Sequence, residues 1–291
     1  MSWLLAAAGA AVIWAVLSVL AKKLMEETSS LTYSLLYSGI ATVVYTPVFI
    51  YFLSRYSLDP GASAIAALLV SGLANIGGFI TYNSSVKKGE LSTVIPLTRL
   101  TPIFTAVLGF MVLGEPLDIY TGIGIFLVTA GSYVVLAEKG DFLAPFRNFR
   151  DSWAPKSGVL SAVIFSIASV ADRFATQQIP PELYTYFIYV FVTAGFAGYG
   201  FTLRDHELGK LKEALNADRR AYLFTGASAV LASYLIFYAF SRAPASKVIP
   251  VIQVQILVSE LGGYVFFREE GIARKLLGSA VLIAGVALVA I

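Results

Sequence analysis

Apolar residues run along this chain in blocks of about twenty, separated by short stretches that hold most of the charge and many of the glycines and prolines. An α-helix rises ~1.5 Å per residue, so a block of about 20 apolar residues is long enough to cross a hydrocarbon core of ~30 Å. Bounded in this way, the pattern predicts helices at about 3–22, 31–53, 63–86, 92–113, 118–137, 157–175, 182–203, 221–241, 246–267 and 272–291. The expected fold is an all-α membrane protein of ten transmembrane helices. Two connections are longer than the rest. The first spaces Phe142, Phe146, Phe149 and Trp153 at intervals of four, three and four, which suits either an interfacial helix with its rings among lipid headgroups or a plain linker with aromatic anchors. The second, Glu207 to Arg220, has Leu208, Leu211 and Leu215 at helical spacing and predicts a short amphipathic helix.

Composition agrees with a bilayer as solvent: 57% of 291 residues are hydrophobic, 13% are charged, and mean hydropathy is +0.77. Charge then gives the spans a direction. If every block crosses once, the loops after spans one, three, five, seven and nine carry Lys22, Lys23, Lys87, Lys88, Lys139, Arg147, Arg150, Lys156, Arg204, Lys210, Lys212, Arg219, Arg220, Arg268, Arg274 and Lys275. The opposite side holds Arg55, Arg173, Arg242 and Lys247. Basic loops stay in the cytoplasm, so both termini are expected outside a plasma (inner) membrane. The first span lacks a basic leader and a clear cleavage site and reads as a retained helix. A net charge of +3 gives no reason to expect nucleic acid as a partner.

The chain also repeats itself. Shifted by 154 residues without a gap, Gly72 meets Gly226, Ser92 meets Ser246, and Val94, Ile95 and Pro96 meet Val248, Ile249 and Pro250. Gly109 meets Gly263, Glu115 meets Glu269, Gly124 meets Gly278, and Ala130 and Gly131 meet Ala284 and Gly285. At an offset of 151, Trp14 stands opposite Phe165, Lys22 opposite Arg173 and Tyr33 opposite Tyr184. The unit is therefore five helices: residues 1–140, a linker at 141–156, and a second copy at 157–291. Five is odd, so the second copy enters the membrane from the other side, as in the inverted repeats of secondary transporters.

These residues give the chain a resemblance to a known family. The segment Ser92 to Pro96 opening span four, the Leu113, Gly114, Glu115, Pro116 sequence ending it, and Lys22 and Lys23 after Trp14 are similar to the EamA-type branch of the drug/metabolite transporter superfamily. The second copy departs from the pattern, with Phe267, Arg268 and Glu269 in place of the Leu, Gly, Glu ending. The resemblance implies a central cavity lined largely by spans three, four, eight and nine, and the movement of amino acids or other small metabolites.

Charged groups cost about 2.5 to 3.5 kcal/mol each inside a bilayer, so those that persist face a cavity or one another. Arg99 and Glu260 are the two that fall well inside predicted spans, each roughly 10 Å from the cytoplasmic side at ~1.5 Å per residue. As a functional pair they would hold a polar or zwitterionic substrate, and Glu260 offers a carboxyl for proton coupling; as a structural pair they would fasten the two halves. Around them the expected substrate-binding set is Thr98, Thr101, Gln253, Asn75, Tyr82, Tyr234 and Tyr238, with Pro96 and Pro250 as gating positions. Glu115 and Glu269, at membrane ends, read as caps or partners of loop charges.

Other classes fit less well. There is no cysteine, His206 is the sole histidine, and no HExxH or GxxxxGK[ST] pattern occurs. An intramembrane enzyme, a metal or redox cofactor and direct ATP use are thus not expected. A channel lined by the same polar groups is the nearer alternative, separable from a transporter by saturable flux. Membrane lipid and a small molecule are the expected partners of a chain that works by default as a monomer, although the glycines of spans five and ten offer a surface for a dimer.

Overall fold

The computed structural model describes residues 1–56, 59–88, 96–136, 149, 152–202, 210–259 and 272–291. Its principal helices are α1 (Trp3–Glu27), α2 (Ser30–Leu53), α3 (Ala62–Lys88), α4 (Thr101–Leu113), α5 (Ile119–Leu136), α6 (Trp153–Thr176), α7 (Pro181–Thr202), α8 (Leu211–Ala217), α9 (Arg219–Phe240), α10 (Ala245–Ile252) and α11 (Ile272–Val289); the described residues contain no strand. Among the described residues seven segments are long and apolar enough to cross a membrane: Trp3–Glu26, Ser30–Leu53, Ala62–Tyr82, Pro96–Leu113, Ile119–Leu136, Trp153–Thr176 and Arg219–Phe240, with Ala245–Ser259 a shorter apolar helix.

Side-chain oxygens at the boundaries set where these helices begin. Ser2 accepts from the Leu5 N–H, Ser29 from Thr32 and Asp218 from Ala221, each satisfying a donor that the first turn leaves free. Ser152 does the same for Ala154, so α6 begins at Trp153, ahead of the expected 157. Gly114 ends α4 in the left-handed conformation (φ 65°), where its N–H reaches Phe110 O and the Glu115 N–H reaches Gly109 O. The second amphipathic stretch forms α8, which includes Leu211 and Leu215; Leu208 lies outside the described residues.

Small and hydroxylated residues share the interior with large side chains such as Leu97, Leu183 and Phe240, while many other large apolar residues face outward. Ser34, Ser38, Ser71, Ser161 and many alanines are buried, whereas Val43, Met111 and Phe126 are exposed. That distribution is expected where lipid supplies the apolar solvent and helices approach through small side chains. Several buried hydroxyls are satisfied locally, as in Ser38 Oγ donating to Ser34 O and Ser132 Oγ to Val128 O.

Successive spans run in opposite directions. One face gathers the start of α1 (Met1 O accepts from Tyr238 Oη at 2.9 Å), the end of α2 and start of α7 (Phe49 stacked on Tyr186 at 4.1 Å), and the ends of α4, α6 and α9 with the start of α10. On the other face the Thr28 hydroxyl meets the Tyr222 hydroxyl, joining the end of α1 to the start of α9.

The antiparallel helices α5 and α11 bring their backbones into close approach. A Cβ on Gly131 would lie 2.7 Å from Gly278 O and one on Gly124 would lie 2.7 Å from Gly285 O. These glycines, expected from sequence to offer a dimer surface, are used within one chain because only a residue without Cβ lets the two backbones meet. The same exchange recurs elsewhere: Gly72 receives the Phe191 ring, and its partner at offset 154, Gly226, receives Ile40, which stands 151 residues before Phe191.

Candidate functional site

Two spans break in the same way. In the fourth, Pro96 to Thr98 form a turn of helix, and the N–H groups of Arg99 and Leu100 reach back three residues to Pro96 O and Leu97 O, at 3.2 and 3.3 Å. Regular α-helix starts again at Thr101, followed by Pro102, which has no N–H to offer Thr98 O. That carbonyl accepts instead from Thr101 Oγ1 at 2.8 Å, and Thr101 O accepts from Ser166 Oγ of α6 at 3.1 Å. In the apolar segment Ala245–Ser259 the N–H groups of Gln253 and Val254 likewise turn to Pro250 O and Val251 O, at 3.2 and 3.1 Å, before helix resumes. The breaks at Arg99–Leu100 and Gln253–Val254 are separated by 154 residues, the register of the sequence repeat, and each follows a proline by three.

α4 and α10 pack together, and the breaks lie at different depths. Counting from the face that holds Leu113 and Ala245, Gln253 is about 12 Å deep and Arg99 about 21 Å deep at ~1.5 Å per residue. Gln253 is 5% exposed, and its Oε1 makes no hydrogen bond. Thr105 Oγ1 on α4 and Ser246 Oγ on α10 are also buried without partners. Thr98 is buried, and Arg99 and Thr101 are half-buried. Unpaired polar atoms in a bilayer interior cost free energy unless something else satisfies them.

A second cluster sits nearer the Leu113 face. Asp172 of α6 is buried, and its Oδ1 accepts from Ser71 Oγ of α3 and, at 2.5 Å, from Tyr184 Oη of α7. Asn75 Nδ2 donates to Ser71 O and Ser71 Oγ at 2.9 and 3.2 Å. The next residue, Arg173, turns the other way: its Nε donates to Glu115 Oε1 at 3.1 Å and its Nη1 to Phe240 O. Glu115 Oε1 also accepts from the Ala245 N–H at 3.1 Å, while Oε2 is buried without a hydrogen bond. One ion pair thus ties the ends of α4, α6 and α9 to the start of α10.

Sequence reasoning missed this cluster by treating charges near span ends as solvated. Asp172 and Arg173 interrupt an apolar run as a doublet, and Arg173 and Glu115 each have a charged counterpart in the repeat, which were the available signals. Glu115 pairs not with a loop charge but with a helix residue 58 positions on. The predicted binding set is divided. Asn75 joins the Asp172 network. Tyr234 donates to Glu182 Oε1 at 3.2 Å, and Tyr238 donates to Met1 O beneath the Arg242 guanidinium. Tyr82 is half-buried on α3. Glu260, like Ser92, Glu269, Phe142 and Phe146, lies outside the described residues. A shallow groove between α4 and α5, lined by Ile103, Val107, Ile119 and Phe126, is apolar and opens outward, and contains none of the predicted site.

Comparison with known proteins bears on this arrangement. The sequence model of the EamA-like transporter family matches residues 1–137 and 153–291. Over 130 residues the chain is 26% identical to an uncharacterized transporter of Archaeoglobus fulgidus, 44% of each protein's length. Over 68 residues it is 31% identical to an uncharacterized transporter in the cobO 3' region of a Sinorhizobium species, 23% of this chain and 48% of that one. In these two matches the chain spans about half the relative's length; another transporter of A. fulgidus, 20% identical over 282 residues, aligns over 96% of this chain and 94% of its own. A crystal structure of a protein 18% identical superposes with a TM-score of 0.72, covering 98% of this chain and 95% of that one, so the fold is shared.

Proposed function

Because this chain belongs to the EamA-like transporter family and is a multi-pass membrane transporter, we propose that it moves small polar or amphipathic metabolites, amino acids among them, by alternating access around the layer between its two helix breaks. The observation that carries this reading is the pair of breaks themselves, matched at 154 residues and holding Arg99 and the unpaired Gln253. Discontinuous helices at repeat-related positions expose backbone dipoles and polar side chains near the membrane midplane, which is where secondary transporters bind substrate.

Two inverted five-helix halves account for the packing. In the 154 register Gly124 corresponds to Gly278 and Gly131 to Gly285, so the contacts Gly124–Gly285 and Gly131–Gly278 are one contact made twice across a pseudo-two-fold axis. The exchange of Gly72–Phe191 for Gly226–Ile40 supports the same axis. Halves of opposite orientation give inward-open and outward-open states of similar energy. The charge bias of the loops places the Glu115 face outside, where the Glu115–Arg173 pair closes one end of the path.

Ligand-dependent melting of the purified protein across a panel of amino acids and small metabolites tests this. A ligand at 100 times its Kd stabilises by about 2.7 kcal/mol. The expected result is a shift with one chemical class, lost in Arg99→Ala and Gln253→Ala while unliganded melting changes little. A shift that survives in both variants would remove the breaks from the binding site, and non-saturating flux in liposomes would replace the transporter mechanism with a channel.

A further inference from the structure

We infer that Asp172 is a proton-binding site, the carboxyl through which this transporter couples to a proton gradient. The inference deepens the transport reading and rests on it for its direction, but the site is argued from its own geometry.

Asp172 lies where α3, from the first half, meets α6 and α7, from the second. Its partners are all neutral hydroxyls: Ser71 Oγ and Tyr184 Oη both donate to Oδ1. Asn75 holds Ser71, and the Phe237 ring of α9 stands edge-on to Tyr184 at 4.9 Å. The charged groups around it are committed elsewhere. Arg173, its neighbour on α6, is turned to Glu115 at the end of α4 and to Phe240 O of α9; Glu182 of α7 accepts from Tyr234. Among the described residues α3 brings Ser71 to the carboxylate, with Asn75 behind it on Ser71, and α7 brings Tyr184. Asp172 therefore forms no ion pair among the described residues, and Oδ2 makes no hydrogen bond with any of them. The two hydroxyl donors offset only part of the cost of a buried carboxylate that has no cation beside it, and a proton on Oδ2 removes the charge while leaving both bonds to Oδ1 in place.

The repeat shows that the carboxylate is an addition to the shared plan. Under the offsets that relate the halves, Tyr184 corresponds to Tyr33, Ser71 to Thr225 and Asp172 to Ala21. The second set keeps the tyrosine and the hydroxyl but has no acid, and Thr225 Oγ1 is buried there without a partner. A group needed only for packing would be met by the plan common to both halves. A carboxyl present in one copy alone gives that copy a proton site its counterpart lacks, and coupling to a gradient needs one such site, open in turn to each compartment. The chemistry is a single proton transfer: water at the outer end supplies the proton, an O–H bond forms at Asp172, and the same bond breaks when the site faces the other compartment.

Infrared difference spectroscopy of the intact protein in nanodiscs, titrated in pH, reads the carboxylic acid band directly and needs no substrate. The expected result is a protonation band that disappears in Asp172→Asn, persists in Asp118→Asn, and moves its midpoint in Tyr184→Phe, a variant that keeps the carboxyl if the asparagine does not fold. A band unchanged in Asp172→Asn, or a Tyr184→Phe midpoint identical to wild type, overturns the assignment. In liposomes, wild-type uptake of the stabilising metabolite should rise with an imposed proton gradient. Asp172→Asn should retain exchange and lose that dependence; gradient-driven uptake that survives the substitution would also overturn it. If no metabolite is moved at all, the transport reading fails while the spectroscopic result still decides whether Asp172 binds a proton.

Discussion

Single residues here are held by opposite kinds of economy. The Arg173–Glu115 pair is nearly sealed from solvent, and removing the cation alone leaves a carboxylate in the interior. Arg173→Ala should therefore destabilise by about 3 to 5 kcal/mol, read as earlier thermal unfolding in detergent, whereas replacing both partners by apolar residues should restore much of the loss. Gln253 is the converse case: an unsatisfied buried amide oxygen costs about 1 to 3 kcal/mol. Gln253→Met should leave unliganded melting unchanged or raised while abolishing the ligand shift; a variant that melts much earlier would make Gln253 a packing residue. Asp118, exposed just before α5, accepts from the N–H and the hydroxyl of Thr121, and these bonds, the backbone one first, hold its carboxyl below the ordinary aspartate range. Its contribution to stability is complete above the ordinary aspartate pKa and is lost as pH falls through the lowered folded value, so Asp118→Asn should flatten that acid limb of the melting profile.

Elements were the most legible scale, because a bilayer sets their length. The blocks at 3–22, 63–86 and 118–137 became Trp3–Glu27, Ala62–Lys88 and Ile119–Leu136. Apolar periodicity did not disclose the breaks in spans four and nine, since Arg99–Leu100 and Gln253–Val254 sit in runs that continue on either side; only the repeated prolines hinted at them. Nor did it disclose that Asn75 and Tyr234, placed on different helices and grouped by chemistry, serve separate networks, the first at Ser71 and the second at Glu182. The break gives a test at this scale. Pro250→Ala restores an N–H for Ser246 O, and is expected to raise thermal stability while slowing transport, with a faster variant contradicting a gating role. The α5–α11 seam gives another: Gly131→Leu would drive a side chain into the backbone of Leu282 and Gly278 and should cost at least the ~1 to 3 kcal/mol of ordinary overpacking, seen as lowered melting.

At the scale of the molecule the alternating helix directions put the described ends of the chain, Met1 and the close of α11, on the same face as Glu115. In the orientation proposed from the loop charges, that face lies outside. Since the chain has no cysteine of its own, single cysteines at Ser2 and at Lys22 can be labelled in intact cells with a membrane-impermeant maleimide. Labelling of the first and protection of the second is expected, and the reverse pattern would invert the orientation. The seam between α5 and α11 carries an implication for ancestry. In the proposed inverted repeat it joins a helix to its own counterpart, so the surface is self-complementary, and two separate copies of a shorter polypeptide, inserted in opposite senses, would make the same contact twice. The present chain is then what such a dual-topology pair becomes once its genes are fused: the orientation of each half is fixed by the other, and a substitution such as an aspartate opposite an alanine can be confined to one side of the membrane.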